Sequence, residues 1–356
     1  LSIMGLIIIY LTAHIYYSFF NTKLMIPVIA IVLTIIFFGM LWLRNISITM
    51  PFYVFKVIQF GTYFALGVMF YMATLYLLSD ILRIFVKFNH RTVGIIVVSL
   101  SVVIAFLGYI NTRIIRNVEY SVYTNKITQP LKVVLVSDLH IGSSDMTLAK
   151  FKRMIQQINS QNADFVILAG DLLDDASVQF QELGYGELFK QIKAKQGVYA
   201  TIGNHENYRG NVNSVKTKFI YSGLNLLDDS QVAFPKYNLN LVGITDIGRS
   251  GNKPKQAKDF NLSEDKFNLI VEHNPSRFGD NHKDNIDLQL SGHTHGGQMI
   301  QGYILEQFVY DKAWGKLDVD NSTLITSSGV GSWGPPIRDI TYPEIVVINI
   351  IPQAKE

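Results

Sequence analysis

Four long apolar stretches, at 1–20, 24–43, 57–78 and 93–110, fill the first third of the chain. A helix needs about 20 apolar residues to cross a bilayer core, and each run approaches or reaches that length. Basic residues punctuate them at Lys23, Arg44, Arg83, Lys87, Arg91, Arg113 and Arg116. Buried helices of a soluble core would not recur four times at this length without a large covering surface. The expectation is a transmembrane region of four helices over 1–112, in a multi-pass protein of the cell membrane. No short apolar core followed by a small-residue cleavage site marks a signal peptide.

Charge divides along the same line. Residues 1–130 hold nine Lys and Arg against Asp80 and Glu119, whereas 131–356 hold 22 basic and 26 acidic residues. The second part therefore lacks the basic excess of a general nucleic-acid binder, and no nucleic-acid partner is expected. With no cysteine in the chain, disulfides and thiolate metal sites are excluded. An even number of crossings puts both ends of the helical region on one side. The basic residues number five near that side and four opposite, a margin that does not fix orientation.

Residues 113–130 read as a polar linker ending at Pro130. Beyond it, short apolar runs alternate with helical patterns. Strands are expected at 131–137, 165–169, 198–202, 239–244, 267–271, 286–290, 323–327 and 345–350, and helices at 147–159, 180–194 and 212–222. Such alternation, followed by strand-rich sequence, implies an α/β (α+β) domain whose sheets are covered by helices, with chemistry in loops at strand ends.

Those loops have an unusual content. They read Ser137-Asp138-Leu139-His140, Gly170-Asp171-Leu172-Leu173-Asp174, Gly203-Asn204-His205-Glu206, Glu272-His273-Asn274 and Gly292-His293-Thr294-His295-Gly296-Gly297-Gln298. Residues two apart in an extended segment share a face, so Asp138 and His140, or His293 and His295, can point at one ion. Asp171 can bridge two ions with its two oxygens, and the Asn204 amide is a neutral ligand. Any one segment alone is weak, because a lone Asp or His after a strand is usually a solvated loop residue. Five in series, each closing an apolar run, are hard to obtain by chance. Imidazole with carboxylate suits Mn²⁺, Fe or Zn²⁺ better than Ca²⁺. A pair of divalent ions chiefly serves in-line attack of water on phosphorus.

These motifs resemble the calcineurin-like metallophosphoesterase superfamily, over about residues 131–352. The extended Gly-His-Thr-His-Gly-Gly-Gln, with Gly334-Pro335-Pro336-Ile337-Arg338 and Pro343-Glu344-Ile345, is similar to membrane-associated bacterial members. These include YkuE-like proteins and relatives of UDP-2,3-diacylglucosamine pyrophosphatases. The resemblance implies two packed mixed β-sheets flanked by helices, and two divalent ions as cofactors. Asp138, His140, Asp171 and His295 would hold the first ion. Asp171, Asn204, His273 and His293 would hold the second. His205 would contact the phosphate and protonate the leaving oxygen, oriented by Asp174, since a carboxylate partner favours the imidazolium form. Glu206 and Asp175 read as supporting or solvated acids. Exported relatives place the catalytic half, as an expectation, on the extracytoplasmic side.

Anchorage by four helices fits a substrate that stays in the membrane, such as a lipid-linked phosphoester or pyrophosphate. Aromatic residues Tyr303, Phe308, Tyr310, Trp314 and Trp333 could line an apolar groove or rest at the membrane interface. Arg338 could pair with phosphate, or could equally form an exposed salt bridge. Two alternatives stay open: a phosphodiesterase for a soluble nucleotide-type substrate, and a non-catalytic membrane sensor or scaffold. The last of these predicts missing ligands.

Overall fold

The computed structural model describes residues 2–46, 51–174, 183–208, 212–246 and 255–353. It divides into two compact units. Leu1–Asn111 with Gly334–Asp339 form one, and Thr112–Trp333 with Ile340–Glu356 form the other.

The first unit is helical: α1 Ser2–Phe19, α2 Met25–Ile46, α3 Phe52–Arg83 and α4 His90–Asn111. All four helices coincide with the apolar runs. Two of them, Tyr53–Arg83 and His90–Asn111, are long and apolar enough to cross a membrane; Ile3–Phe19 and Met25–Gly39 are shorter apolar stretches. The pattern of α4 is inverted relative to a soluble helix. Its buried positions are Val93, Gly94, Val97, Ser101, Ala105 and Gly108, spaced for one face and mostly small. Its exposed positions include Ile95, Ile96, Val102, Val103, Phe106 and Leu107.

The short segment Gly334–Asp339 packs within this helical unit. The Arg338 N–H donates to the Gly108 carbonyl at 3.1 Å, and the Asn111 amide donates to the Arg338 carbonyl at 2.9 Å. The Arg338 side chain is fully buried there. It is therefore not the exposed salt bridge that the sequence offered.

The second unit is a two-sheet sandwich. One six-stranded sheet has the order β1-β12-β2-β3-β4-β5 and the other β10-β11-β9-β8-β7-β6. The first comprises β1 Arg116–Thr124, β12 Glu344–Pro352, β2 Leu131–Val136, β3 Phe165–Ala169, β4 Val198–Thr201 and β5 Asn225–Leu226. The second comprises β10 Gly315–Val319, β11 Ser322–Thr326, β9 Leu288–Ser291, β8 Phe267–Glu272, β7 Leu239–Ile244 and β6 Ser230–Phe234. Strand alternation builds two cores at once. Leu131, Val133 and Leu135 face Leu241, Leu269 and Leu290 between the sheets. Val134 and Val136, from the same strand, pack beneath helices Leu148–Ser160 and Tyr185–Phe189.

All eight expected strands form, as do helices at Leu148–Ser160 and Val212–Tyr221. The helix expected over 180–194 is short, Tyr185–Phe189, and its start lies outside the described residues. The linker reading of 113–130 is corrected. Arg116–Thr124 is a full edge strand, paired in parallel with Glu344–Pro352 from Arg116↔Glu344 to Thr124↔Pro352. An edge strand keeps one side and many side chains in water, so its polar composition hides it from a pattern search.

Both sheets have a parallel centre: β2, β3 and β4 in one, and β7, β8 and β9 in the other. Parallel register delivers the carboxyl ends of neighbouring strands to one edge, where open α/β sheets bind ligands. Each of the five acid- and imidazole-bearing loops of the sequence analysis follows one of these strands.

Candidate metal centre

Asp138 and His140 follow β2, Asp171 follows β3, Asn204 and His205 follow β4, His273 follows β8, and His293 and His295 follow β9. Ligand-type atoms converge in three groups: Asp138, His140 and His295; His140, Asp171 and His205; and Asp171, His273 and His293. Within each group the atoms lie within 4.8 Å of one another. Asp171 is shared by two groups, as a bridging carboxylate requires.

The backbone is bent to achieve this. Asp138, His140, Asp171, His293 and His295 all have positive φ, between 45° and 76°. Left-handed backbone costs a non-glycine residue about 1–2 kcal/mol, and such strain concentrates at functional sites. Close approach explains two motif glycines. A Cβ on Gly203 would strike the Asp171 carboxylate, and one on Gly292 would strike that of Asp138.

Main-chain donors hold the carboxylates. The His293 N–H donates to Asp138 Oδ2 at 3.0 Å, and the His205 N–H donates to Asp171 Oδ1 at 2.8 Å. Glu206 is almost fully buried. Its Oε2 accepts from the N–H groups of Asp171, at 3.0 Å, and Gly203, at 2.8 Å, while Oε1 accepts from Leu173 at 2.9 Å. It thus ties the β3 and β4 loops together. The sequence singled Glu206 out only as a supporting or solvated acid, because two of its partners, Asp171 and Leu173, lie more than thirty residues away. Asp175 lies outside the described residues.

The imidazoles fit cations. His273 Nδ1 is 2.7 Å from the Ala169 carbonyl, which can only accept, so that nitrogen donates. His273 Nε2 then faces Asp171 Oδ2 at 3.1 Å and is buried without a hydrogen-bond partner. His140 Nε2 and His295 Nε2 point at each other across 3.0 Å, which sets two ring nitrogens side by side at the centre of the cluster. Such a donor set, rich in lone pairs and nearly dry, is what a divalent ion needs.

Electrostatics agree. Burial would raise the Asp171 carboxyl, but the imidazoles of His273, His205 and His140 outweigh it and hold the group below the usual carboxylate range. Asp174 behaves alike: burial opposes, and its partners His140 and His205 prevail. Glu206 moves the other way. Burial and the neighbouring Asp171 charge push it up to about 7, against the pull of its N–H donors. Burial, then the His273 charge, lowers His293.

Asp246, at the end of β7, was missed by sequence reading. Its charge acts on both His273 and His293. The signal was present, an acid just past an apolar strand, but no recognised motif surrounds it. Aromatic rings flank the cluster, with Tyr208 4.9 Å and Trp333 6.2 Å from the His205 ring and Tyr310 6.3 Å from that of His293.

Two helix-covered mixed sheets with acids, an amide and imidazoles converging at their carboxyl edge define a metal-dependent phosphoester hydrolase domain. Residues 131–297 match the family described as calcineurin-like phosphoesterase. An uncharacterized metallophosphoesterase of Campylobacter jejuni is 29% identical over 270 residues, covering 71% of this chain and 68% of that protein. A zebrafish transmembrane protein with metallophosphoesterase domain is 26% identical over 280 residues, 74% of this chain and 63% of that protein. Phosphodiesterase YaeI of Escherichia coli is 28% identical over 232 residues, 62% of this chain and 83% of that protein. The chain therefore spans about two thirds of the length of the first two of these relatives.

Proposed function

We propose that this chain is a membrane-anchored hydrolase that uses two divalent ions to cleave a phosphoester or pyrophosphate bond in a lipid-linked substrate. The observation behind it is the shared Asp171 carboxylate, flanked on each side by imidazole groups that converge within ligand distance. Asp138, His140, Asp171 and His295 hold one ion; Asp171, Asn204, His273 and His293 hold the other. Bound ions supply an activated water and neutralise the phosphoryl oxygens.

The chain's own groups do the rest. Asp174 Oδ1 sits 3.0 Å from His205 Nδ1 and fixes that ring. His205 Nε2 then looks into the cluster, 4.0 Å from Asp171 Oδ2. As the oxygen of water bonds to phosphorus and the ester bond breaks, the leaving oxygen takes its proton from His205.

Support for the membrane comes from α3 and α4. At about 1.5 Å per residue, even the 22-residue α4 reaches about the 30 Å of a bilayer core. Its small residues face inward and its large aliphatic ones outward, an arrangement that suits lipid rather than water. The zebrafish relative is likewise named a transmembrane protein. A substrate held in the same bilayer is the simplest reason to tether a phosphohydrolase this way. The E. coli relative, named a phosphodiesterase, favours a second reading in which the scissile bond is a diester.

The test is turnover by the purified full chain in detergent, with Mn²⁺, Fe²⁺ or Zn²⁺, on a lipid-linked pyrophosphate and on soluble bis(p-nitrophenyl) phosphate. The proposal expects metal-dependent cleavage that favours the lipid-linked substrate and is lost in Asp171→Asn. Full activity after chelation, or in that variant, overturns the metal assignment. Preference for the soluble diester overturns the lipid assignment.

A further inference from the structure

The Asn204 amide is engaged at both ends. Its Oδ1 lies 2.8 Å from His293 Nδ1, and its Nδ2 donates to the Tyr208 hydroxyl at 2.8 Å. Asn204 is buried, while Tyr208 is 47% exposed at the edge of the cluster. The two residues are four apart, and Tyr208 directly follows the single helical turn Asn204–Asn207, so the bond closes over one turn of backbone. The Tyr208 ring also lies against that of His205, centroids 4.9 Å apart.

We propose that Tyr208 is a positioning residue for Asn204, its hydroxyl oxygen holding the amide with Oδ1 turned toward the cation that Asn204 and His293 share. The inference rests on Asn204 being a ligand of that ion. An amide flipped by half a turn would aim its N–H groups at the ion, which is repulsive. In the observed orientation the same N–H group has an acceptor in Tyr208, so the two ends of the amide select one rotamer together. Without the hydroxyl, a buried donor loses its partner and the amide is free to turn. Groups that orient a metal ligand typically change metal affinity by about 10–100-fold when removed. The ring has a separate task, packing against His205, which a Phe side chain retains.

Calorimetric titration of metal-free full-length protein in detergent with Mn²⁺ tests this, beside kcat at limiting and saturating metal. Tyr208→Phe is expected to bind two ions, one with wild-type affinity and one about 10–100-fold more weakly. Its kcat should fall at limiting metal and recover at saturation. Tyr208→Ala, which also loses the ring against His205, should stay slow at saturation. Wild-type affinity at both sites in Tyr208→Phe, or equal weakening of both, overturns the positioning role. If the wild-type protein itself fails to bind two ions, it is the metal assignment of the proposed function that falls.

Discussion

Asp174 Oδ1 stands 3.0 Å from Nδ1 of His205, and both residues are close to fully buried. The same oxygen lies 3.6 Å from Nδ1 of His140, so one carboxylate steadies two imidazoles of the cluster. Burial would raise the Asp174 carboxyl, yet these partners keep it below its usual range and hence charged.

If His205 protonates the leaving oxygen, its value depends on how poor that leaving group is. His205→Ala should lower kcat by about 10²–10⁴-fold on an alkyl phosphoester. On a p-nitrophenyl ester, whose phenolate departs unaided, the loss should be much smaller. Asp174→Asn should follow the same pattern more weakly. Comparing kcat across leaving groups checks this, and equal losses on both esters would remove His205 from the proton-transfer step.

Glu206 receives three buried N–H groups, from Asp171, Leu173 and Gly203. Glu206→Ala leaves them unpaired, at about 1–3 kcal/mol for each donor that water does not reach. Thermal unfolding of the variant should shift down by several degrees, and its metal content after dialysis should drop because the β3 and β4 loops are no longer tied. A variant with wild-type melting and two retained ions would contradict this.

Lys150 and Asp145 form an ion pair of 2.6 Å in which both side chains are fully buried, with Arg113 3.8 Å from the other Asp145 oxygen. Burial opposes the Asp145 charge, but Lys150 outweighs it and lowers its pKa. A depressed folded-state pKa means stability that is complete above the ordinary carboxylate range and fades as pH falls through the folded value. Lys150→Met should cost about 3–5 kcal/mol at neutral pH, because it strands a buried carboxylate. Because Asp145 then lies closer to its ordinary protonation range, the loss should shrink in acid. Urea unfolding at pH 7 and pH 4 reads both parts, and a loss independent of pH would discount the ion pair.

The helix Ile300–Glu306 follows the His293–His295 loop and has no buried residue. Leu305 is 66% exposed and the nearby Phe308 85%. If this apolar surface handles a lipid tail, Leu305→Ser with Phe308→Ser should lower kcat/KM about tenfold or more on the lipid-linked substrate. Turnover of the soluble diester should be unchanged. Parallel losses on both substrates would mean the patch serves the fold instead.

The proposed ligand set was legible in the sequence because each side chain sits just past an apolar strand, and a strand end fixes its direction locally. Asp138, Asp171, Asn204 and His293 needed no knowledge of their neighbours to be singled out. β1 was not legible: Arg116–Thr124 is an edge strand whose polar face looks like a connector, and only its pairing with Glu344–Pro352 defines it. The burial of Arg338 was not legible for a related reason, since only the folded structure encloses its side chain.

By itself the sequence determined the two-part composition, the central strands and the chemistry of their loops, all properties of short windows with a period or a spacing. Tertiary structure alone decided which groups support them. Glu206 reaches N–H groups on two loops, and Asp174 serves both His140 and His205. The Glu206 bonds to Asp171 and Leu173 and both Asp174 pairings join residues more than thirty positions apart, and no local pattern encodes a contact that exists only once the parallel strands lie in register.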